Sequence, residues 1–316
     1  MNDKNWIKFR MIAWSIVAIL LAVVLAIGIK GWGGSTFSGN IFTRGFTLSN
    51  MKVVKELKFD DIDDIKNIKT DFNTSNLVTT ENDEENIKVI VKSNKKLKNK
   101  KYINAEVRSQ TLNIGDFNNK SSRNIFGIFN GYYLEVEMKI PKSYKENITI
   151  NNRVGDITFN SDLNLNKLDI NIKTGDIDGN QKINSKKITI DSKVGDVDFN
   201  SLEGKEIVID CKTGDIDILK FSGKGNIESK VGDISCDIED LKGDFSIKSK
   251  VGDIDLYINR DLSFNFEGNK SFGEIDTGLK FSNVSQSSDY FLGQYGDNPI
   301  SQITANVKTG DISIND

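Results

Sequence analysis

Acidic residues at regular intervals are the first groups in this 316-residue chain that could do chemistry. A Lys/Arg-x-Gly-Asp tetrapeptide ends in Gly155-Asp156, Gly175-Asp176, Gly195-Asp196, Gly214-Asp215, Gly232-Asp233, Gly252-Asp253 and Gly310-Asp311. A second acid often follows two positions later, at Asp178, Asp198, Asp217 and Asp255. If a repeating fold stacks these units, the aspartates form a column of like charges. Such a column suits three tasks: calcium ligation through oxygen, glycoside cleavage by a carboxylate pair, or structural hydrogen bonding within turns.

The first two tasks are poorly served. The units lack the nonapeptide, glycine-rich period of calcium-binding β-rolls. A basic residue recurs beside every corner, at Arg153, Lys173, Lys193, Lys212, Lys230 and Lys250, and is expected to screen the carboxylates. Glycoside cleavage needs one carboxyl group whose surroundings raise its pKa, whereas these acids are repetitive rather than singular. The chain contains no histidine, which removes the commonest general base near neutral pH and the commonest transition-metal ligand. The reading is a structural corner motif, with no catalytic residue, no metal and no cofactor. Cys211 and Cys236 fall in different inward columns, where small buried thiols are ordinary.

The elements that hold the corners follow from their spacing. Successive glycines from Gly155 to Gly252 lie 20, 20, 19, 18 and 20 residues apart; a degenerate Gly273-Glu274 and a longer gap precede Gly310. Apolar residues alternate on both sides of each Gly-Asp and change phase across it. In one unit Ile188, Ile190, Ser192 and Val194 are expected to face inward, followed by Val197 and Phe199. Gly-Asp therefore inserts one extra residue between two strands, as a bulge or tight corner does, and glycine allows the positive φ such a corner needs. A strand–corner–strand unit cannot bury its apolar side alone, so units must stack. The expected fold is all-β, a parallel β-solenoid of about 20-residue repeats, with an antiparallel β-sandwich as the structural rival.

Upstream, residues 11–29 form a 19-residue run without charge, ~28 Å long as a helix and close to bilayer thickness. Lys4, Lys8 and Arg10 precede it, which predicts a cytoplasmic tail (1–10), a transmembrane helix (11–29), and the remainder outside. Residues 30–50 read as a polar linker, 51–146 as an N-terminal β region and 147–316 as the repeat solenoid. Two irregular stretches break the pattern: 115–133, with Phe117, Phe126, Phe129 and Tyr132, and 281–299, with Tyr290, Phe291 and Tyr295. Their aromatics are expected to cap open ends or edges.

This order of features resembles a bacterial family of membrane-anchored β-repeat proteins of unknown function that carries the label "putative adhesin". The resemblance rests on the membrane segment, the opening strands between Phe59 and Val91, the run from Leu134 to Pro141, and the closing Thr309-Gly310-Asp311-Ile312-Ser313-Ile314. It implies a cell-envelope role and supplies no catalytic residues.

With 42 basic and 45 acidic residues, the net charge of −3 offers no field that would recruit nucleic acid. The expected partners are the cytoplasmic membrane and an envelope protein or glycan. The sequence reads as a non-enzymatic, adhesin-like or scaffolding protein at the cell membrane. An accessory or sensor component of an envelope-stress system is the alternative, and a polysaccharide-acting enzyme a minor one.

Overall fold

Alternating apolar and polar residues turn most of the chain into strands, and the corners decide how those strands are arranged. The computed structural model describes residues 51–94, 103–116 and 133–316. The expected transmembrane helix (11–29), the linker and most of the 115–133 stretch lie outside the described residues. Among the described residues no helix is long and apolar enough to cross a membrane.

The strands before the repeats are β1 (Lys52–Phe59), β2 (Asn67–Phe72), β3 (Asn76–Asn82), β4 (Ile87–Ser93), β5 (Asn104–Arg108), β6 (Thr111–Gly115) and β7 (Leu134–Pro141). The repeats supply β8 (Asn147–Val154), β9 (Ile157–Phe159), β10 (Leu163–Thr174), β11 (Ile177–Ser192), β12 (Val197–Cys211), β13 (Ile216–Ser229), β14 (Ile234–Val251) and β15 (Ile254–Ile258). The chain closes with β16 (Phe264–Phe272), β17 (Ile275–Thr277), β18 (Ser282–Gln286), β19 (Tyr290–Tyr295), β20 (Ser301–Thr309) and β21 (Ile312–Asn315).

Neighbouring repeats pair in parallel and in register. Between β11 and β12, Asp178 lies opposite Asp198, Ile188 opposite Ile207 and Ser192 opposite Cys211. The same pairing joins β8 to β10, β10 to β11, β12 to β13 and β13 to β14. Each long strand bends where the register shifts, as between Gly179 and Lys182. One turn of chain thus contributes to more than one side of the stack.

In-register pairing puts like residue on like residue, so the core consists of columns. Ile150, Ile170, Ile190, Ile209, Ile227 and Ile247 form one column, and Ile157, Ile177, Val197, Ile216, Ile234 and Ile254 another; all are buried. Each such side chain contributes about 1.5–3 kcal/mol by leaving water, and no coil could bury it without a neighbour. Cys211 and Cys236 occupy the expected inward positions, buried and unpaired.

The alternation has one local exception inside the corner. Ser192 and Val197 are buried, but Val194 is 49% exposed. The expectation that Val194 faces inward is therefore wrong: the inward run stops at Ser192, and Lys193 to Asp196 pass around the outside of the bend. The physical reason is that Gly195 turns the chain at φ +134°, so the residue before it lies on the convex side of the turn.

Three arrangements depart from a simple serial stack. First, β2 pairs in parallel with β8, and β3 with β9, so strands read as an upstream region are a coil of the same stack. Second, the sheet is mixed rather than wholly parallel. Antiparallel pairs β1–β4, β4–β7 and β5–β6 occur toward one end, and β16–β19 and β18–β19 toward the other. Third, the last coil in sequence is not the last in space: β20 lies between β14 and β16, and β21 between β15 and β17. The antiparallel strand β19 occupies the outer edge of β16, which leaves only its inner edge for a later coil.

The β18–β19 hairpin closes that end with an aromatic cluster. Phe281 sits 5.7 Å from Phe266, 5.2 Å from Phe291 and 5.9 Å from Tyr295, ring centre to ring centre. The second irregular stretch thus covers the end of the core, as its aromatics suggest.

One glycine shows how tightly alternate coils meet. Phe159 and Phe199 belong to coils two apart, yet their rings stack at 6.5 Å with 27° between planes. Gly179 lies between them in register, and a Cβ there would collide with the Phe199 ring. Gly179→Ala is expected to destabilise the protein by about 1–3 kcal/mol, the usual range for overpacking, and Phe199→Leu in the same chain to recover part of that loss. Urea unfolding of the single and double variants measures both; an additive double variant contradicts the packing account.

Candidate functional site: the glycine–aspartate corner and the groove beside it

The corner begins with a backbone conformation that only glycine adopts without strain. At Gly195 the φ of +134° is one reason; the other is space, since a Cβ would run into the carbonyl oxygen of Gly175 in the preceding coil. The same turn aims the glycine carbonyl inward. Buried side chains before the corner receive these carbonyls: Ser229 Oγ donates to Gly214 O at 3.4 Å, Ser249 Oγ to Gly232 O at 3.3 Å, and Asn152 Nδ2 to Gly155 O at 2.8 Å. The Cys211 thiol lies 3.6 Å from Gly195 O and takes the same place. These bonds account for Asn152, Ser229 and Ser249 in a column that elsewhere holds Ile172, Val307 and Ser192, whose Oγ is buried without a partner.

With that carbonyl turned in, the amide of the next coil's aspartate needs another acceptor, and the aspartate carboxylate supplies it. Asp156 Oδ1 accepts from the Asp176 amide at 3.1 Å, Asp176 from Asp196 at 2.9 Å, and Asp196 from Asp215 at 2.9 Å. The series continues from Asp215 to Asp233 at 2.8 Å, Asp233 to Asp253 at 2.8 Å, and Asp253 to Asp311 at 2.7 Å. It ends where Asp311 Oδ1 accepts from the Glu274 amide at 2.7 Å, and begins where Asn76 Oδ1 accepts from Asp156 at 3.1 Å. All seven corner aspartates named from sequence are thus brought into one ladder. The Ser75-Asn76 corner that opens it was missed because it lacks the literal Gly-Asp; the apolar alternation of Leu77 after it is the signal that marks it.

The basic residues do not hold this ladder together. Among the described residues no ion pair joins Arg153, Lys173, Lys193, Lys212, Lys230, Lys250 or Lys308 to an acid. The basic column expected to screen these carboxylates makes no direct ion pair with them. Backbone amides satisfy the corner acids instead.

The second acidic column has different surroundings. Asp178, Asp198 and Asp217 lie opposite one another on successive coils, on the outer side of the strands after the corner. Partial desolvation, reinforced by Asp178, Asp196 and Asp217, pushes the Asp198 carboxyl up to about 6. Asp178 moves in the same direction, for the same first reason. Asp198 thus acquires the raised pKa that acid catalysis requires, but its acidic neighbours are repeats of the same two columns, Asp178 and Asp217 in its own and Asp176 and Asp196 at the corner. They do not include a second carboxylate facing it across a cleft.

A groove of about 300 Å³ runs on the other side of the corner. One wall carries Asn151, Asn171 and Asp191, and the other Arg153, Lys173 and Lys193. These are outward columns two residues apart on the strands before the corner. Their side chains offer hydrogen-bond donors along one wall and mixed acceptors and amides along the other. The groove fits an extended, polar ligand better than a compact apolar one.

A stack of in-register coils with a solenoid-like core defines a class of all-β repeat protein. Residues 65–315 match the model of the Toastrack DUF4097 family, and the chain belongs to that family. No curated protein matches it. Among solved structures it is similar to a "putative adhesin" from Bacteroides fragilis, with 14% identity over 84% of this chain and 97% of the other at a TM-score of 0.48. It is also similar to a "putative lipid binding protein" from Parabacteroides distasonis, with 15% identity over 84% and 97% at a TM-score of 0.45. A "putative cell adhesion protein" from Clostridium sporogenes gives 16% identity over 83% and 98% at 0.31.

Two outcomes follow from the corner chemistry. Asp196→Ala is expected to cost about 1 kcal/mol by leaving the Asp215 amide without its acceptor, whereas Asp196→Asn should be nearly neutral, because Asn76 already performs that task. Equal losses for both in thermal unfolding would contradict the ladder. The second outcome concerns pH. Between the ordinary carboxylate value of 3.8 and about 6, only the folded chain holds a proton on Asp198, so stability falls as pH rises through that window. Melting temperature should be higher at pH 5 than at pH 7.5 by a margin that shrinks in Asp198→Asn; an unchanged margin would refute the assignment.

Proposed function

We propose that this chain is a membrane-anchored, extracytoplasmic β-solenoid protein that binds or scaffolds at the cell envelope. The observation that carries the reading is the in-register stacking of the segments before and after each corner from β8 to β14, which gives an extended surface built from repeated side chains. Repeat stacks of this kind present long binding faces. The uncharged run at residues 11–29, with basic residues before it, supports an anchor that leaves the repeats outside. The division into tail (1–10), helix, linker (30–50) and displayed β region completes that proposal.

The acids on the surface serve structure in this reading. The corner carboxylates each accept an amide, and the second column shares its charge among like neighbours. Binding then depends on the groove and the basic column rather than on bond making.

Topology tests the proposal. Full-length protein with an N-terminal epitope, expressed in a bacterial host, should resist alkaline extraction from membranes. Protease added to intact cells with a permeable outer layer should digest the repeats and spare the epitope. Release into the soluble fraction, or an epitope cleaved from outside, would overturn the reading. Cross-linking to a membrane partner that is lost when only residues 11–29 are exchanged would favour the sensor role.

A further inference from the structure

We propose that the basic column at the corner is a docking line for a linear, hydroxyl-bearing polyanion lying along the stack and across the strands. This deepens the binding role proposed above and rests on it. The column runs through adjacent coils without interruption: Arg153, Lys173, Lys193, Lys212, Lys230, Lys250, Lys308. The in-register pairs Val154–Thr174, Ile172–Ser192, Ser192–Cys211, Cys211–Ser229, Ser229–Ser249 and Ser249–Val307 fix its order. Asn73 and Ser271 flank it, and neighbours are spaced at about the 4.8 Å strand separation.

Elsewhere on the same stack several lysines are paired with acids. Lys167 pairs with Asp169 at 2.9 Å, Lys182 with Glu203 at 2.6 Å, and Lys187 with Glu206 at 2.7 Å. At the corner an aspartate stands three residues from each basic residue, yet no ion pair forms; its Oδ1 accepts the next coil's amide instead. A row of adjacent positive charges is thus left without salt bridges, with Arg153, Lys173, Lys193, Lys250 and Lys308 exposed and Lys212 and Lys230 half-buried. Mutual repulsion along such a row is relieved by a ligand whose own charges repeat along its length.

Features on either side of the row narrow the ligand class. On one side the groove presents Asn151, Asn171 and Asp191, and the Oδ1 of Asp191 is buried without a protein partner. Hydroxyl groups can both donate to such carboxylates and accept from the amides. On the other side Val194, Val231 and Val251 are each 49% exposed and offer apolar contact to a carbon backbone. An extended chain with one anion per repeat and free hydroxyls, of the polyol-phosphate or uronate type, meets all three. An anionic membrane surface fits less well, since the acids in the groove would face it.

A second basic row provides an internal control. Lys186, Lys205 and Lys224 are also exposed and belong to successive coils, but none of them lines the groove. The test uses the full chain in non-ionic detergent with fluorescent poly(glycerol phosphate) and, separately, polygalacturonate, read by anisotropy across a salt series. Binding should weaken log-linearly with salt, and Arg153→Gln/Lys173→Gln/Lys193→Gln should lose roughly tenfold with a shallower slope, while Lys186→Gln/Lys205→Gln/Lys224→Gln stays within about twofold. The tighter polymer identifies phosphate or carboxylate as the anion. Equal losses in the two triple variants, no binding of either polymer at low salt, or better competition by phosphatidylglycerol vesicles at equal charge would overturn the proposal. The polymer is supplied in solution, so a failure here is distinct from a failure of the envelope topology, which alkaline extraction and protease access read separately.

Discussion

One hydrogen bond repeats throughout the molecule: the carboxylate of each corner aspartate accepts the backbone amide of the corresponding residue in the next coil. It exists because a glycine at positive φ turns its carbonyl into the core and leaves the parallel ladder one acceptor short. The side chain fills that gap from outside while serine, asparagine or cysteine receives the turned carbonyl from inside. Glycine and aspartate are thus parts of a single device, joined in the coils of Asn152, Ser229 and Ser249 by a small polar residue before them. Loss of any one would leave a polar group in the stack without a partner.

Much of this was legible in the residue pattern, and the illegible parts have physical causes. The phase change across Gly195-Asp196, the inward place of Cys211 and Cys236, and the all-β character follow from alternation, which sequence displays directly. The outward turn of Val194 does not, because alternation holds only while the backbone stays extended. Inside the bend, φ at Gly195 overrides it. The insertion of β20 between β14 and β16 was also invisible, since identical repeats pair equally well in several orders and only the hairpin of β18 and β19 decides among them. The Ser75-Asn76 corner escaped notice for the opposite reason: asparagine supplies the same acceptor oxygen as aspartate under a different letter.

The same device sets the electrostatics of the surface. The corner carboxylates bond to amides and make no direct ion pair with the basic residues beside them, so one flank of the corner carries a basic row without salt bridges. The other flank carries a second acidic column, in which partial desolvation and then nearby carboxylates raise the pKa of Asp178 and Asp198. A nearly neutral chain therefore becomes a surface with oppositely charged stripes. The stripes run along the stack because register places each residue type above its equivalent, and they make an elongated partner a better match than a compact one.

Residue-resolved hydrogen exchange of the corner amides tests the central interaction most directly. These amides belong to exposed residues at a bend, so without an acceptor they would exchange at nearly unprotected rates. The account predicts that the amides of Asp176, Asp196, Asp215, Asp233 and Asp253 are protected to about the same degree as their strand neighbours Ile177, Val197, Ile216, Ile234 and Ile254. Fast exchange at the five aspartates, with the neighbouring strand amides still protected, would contradict it.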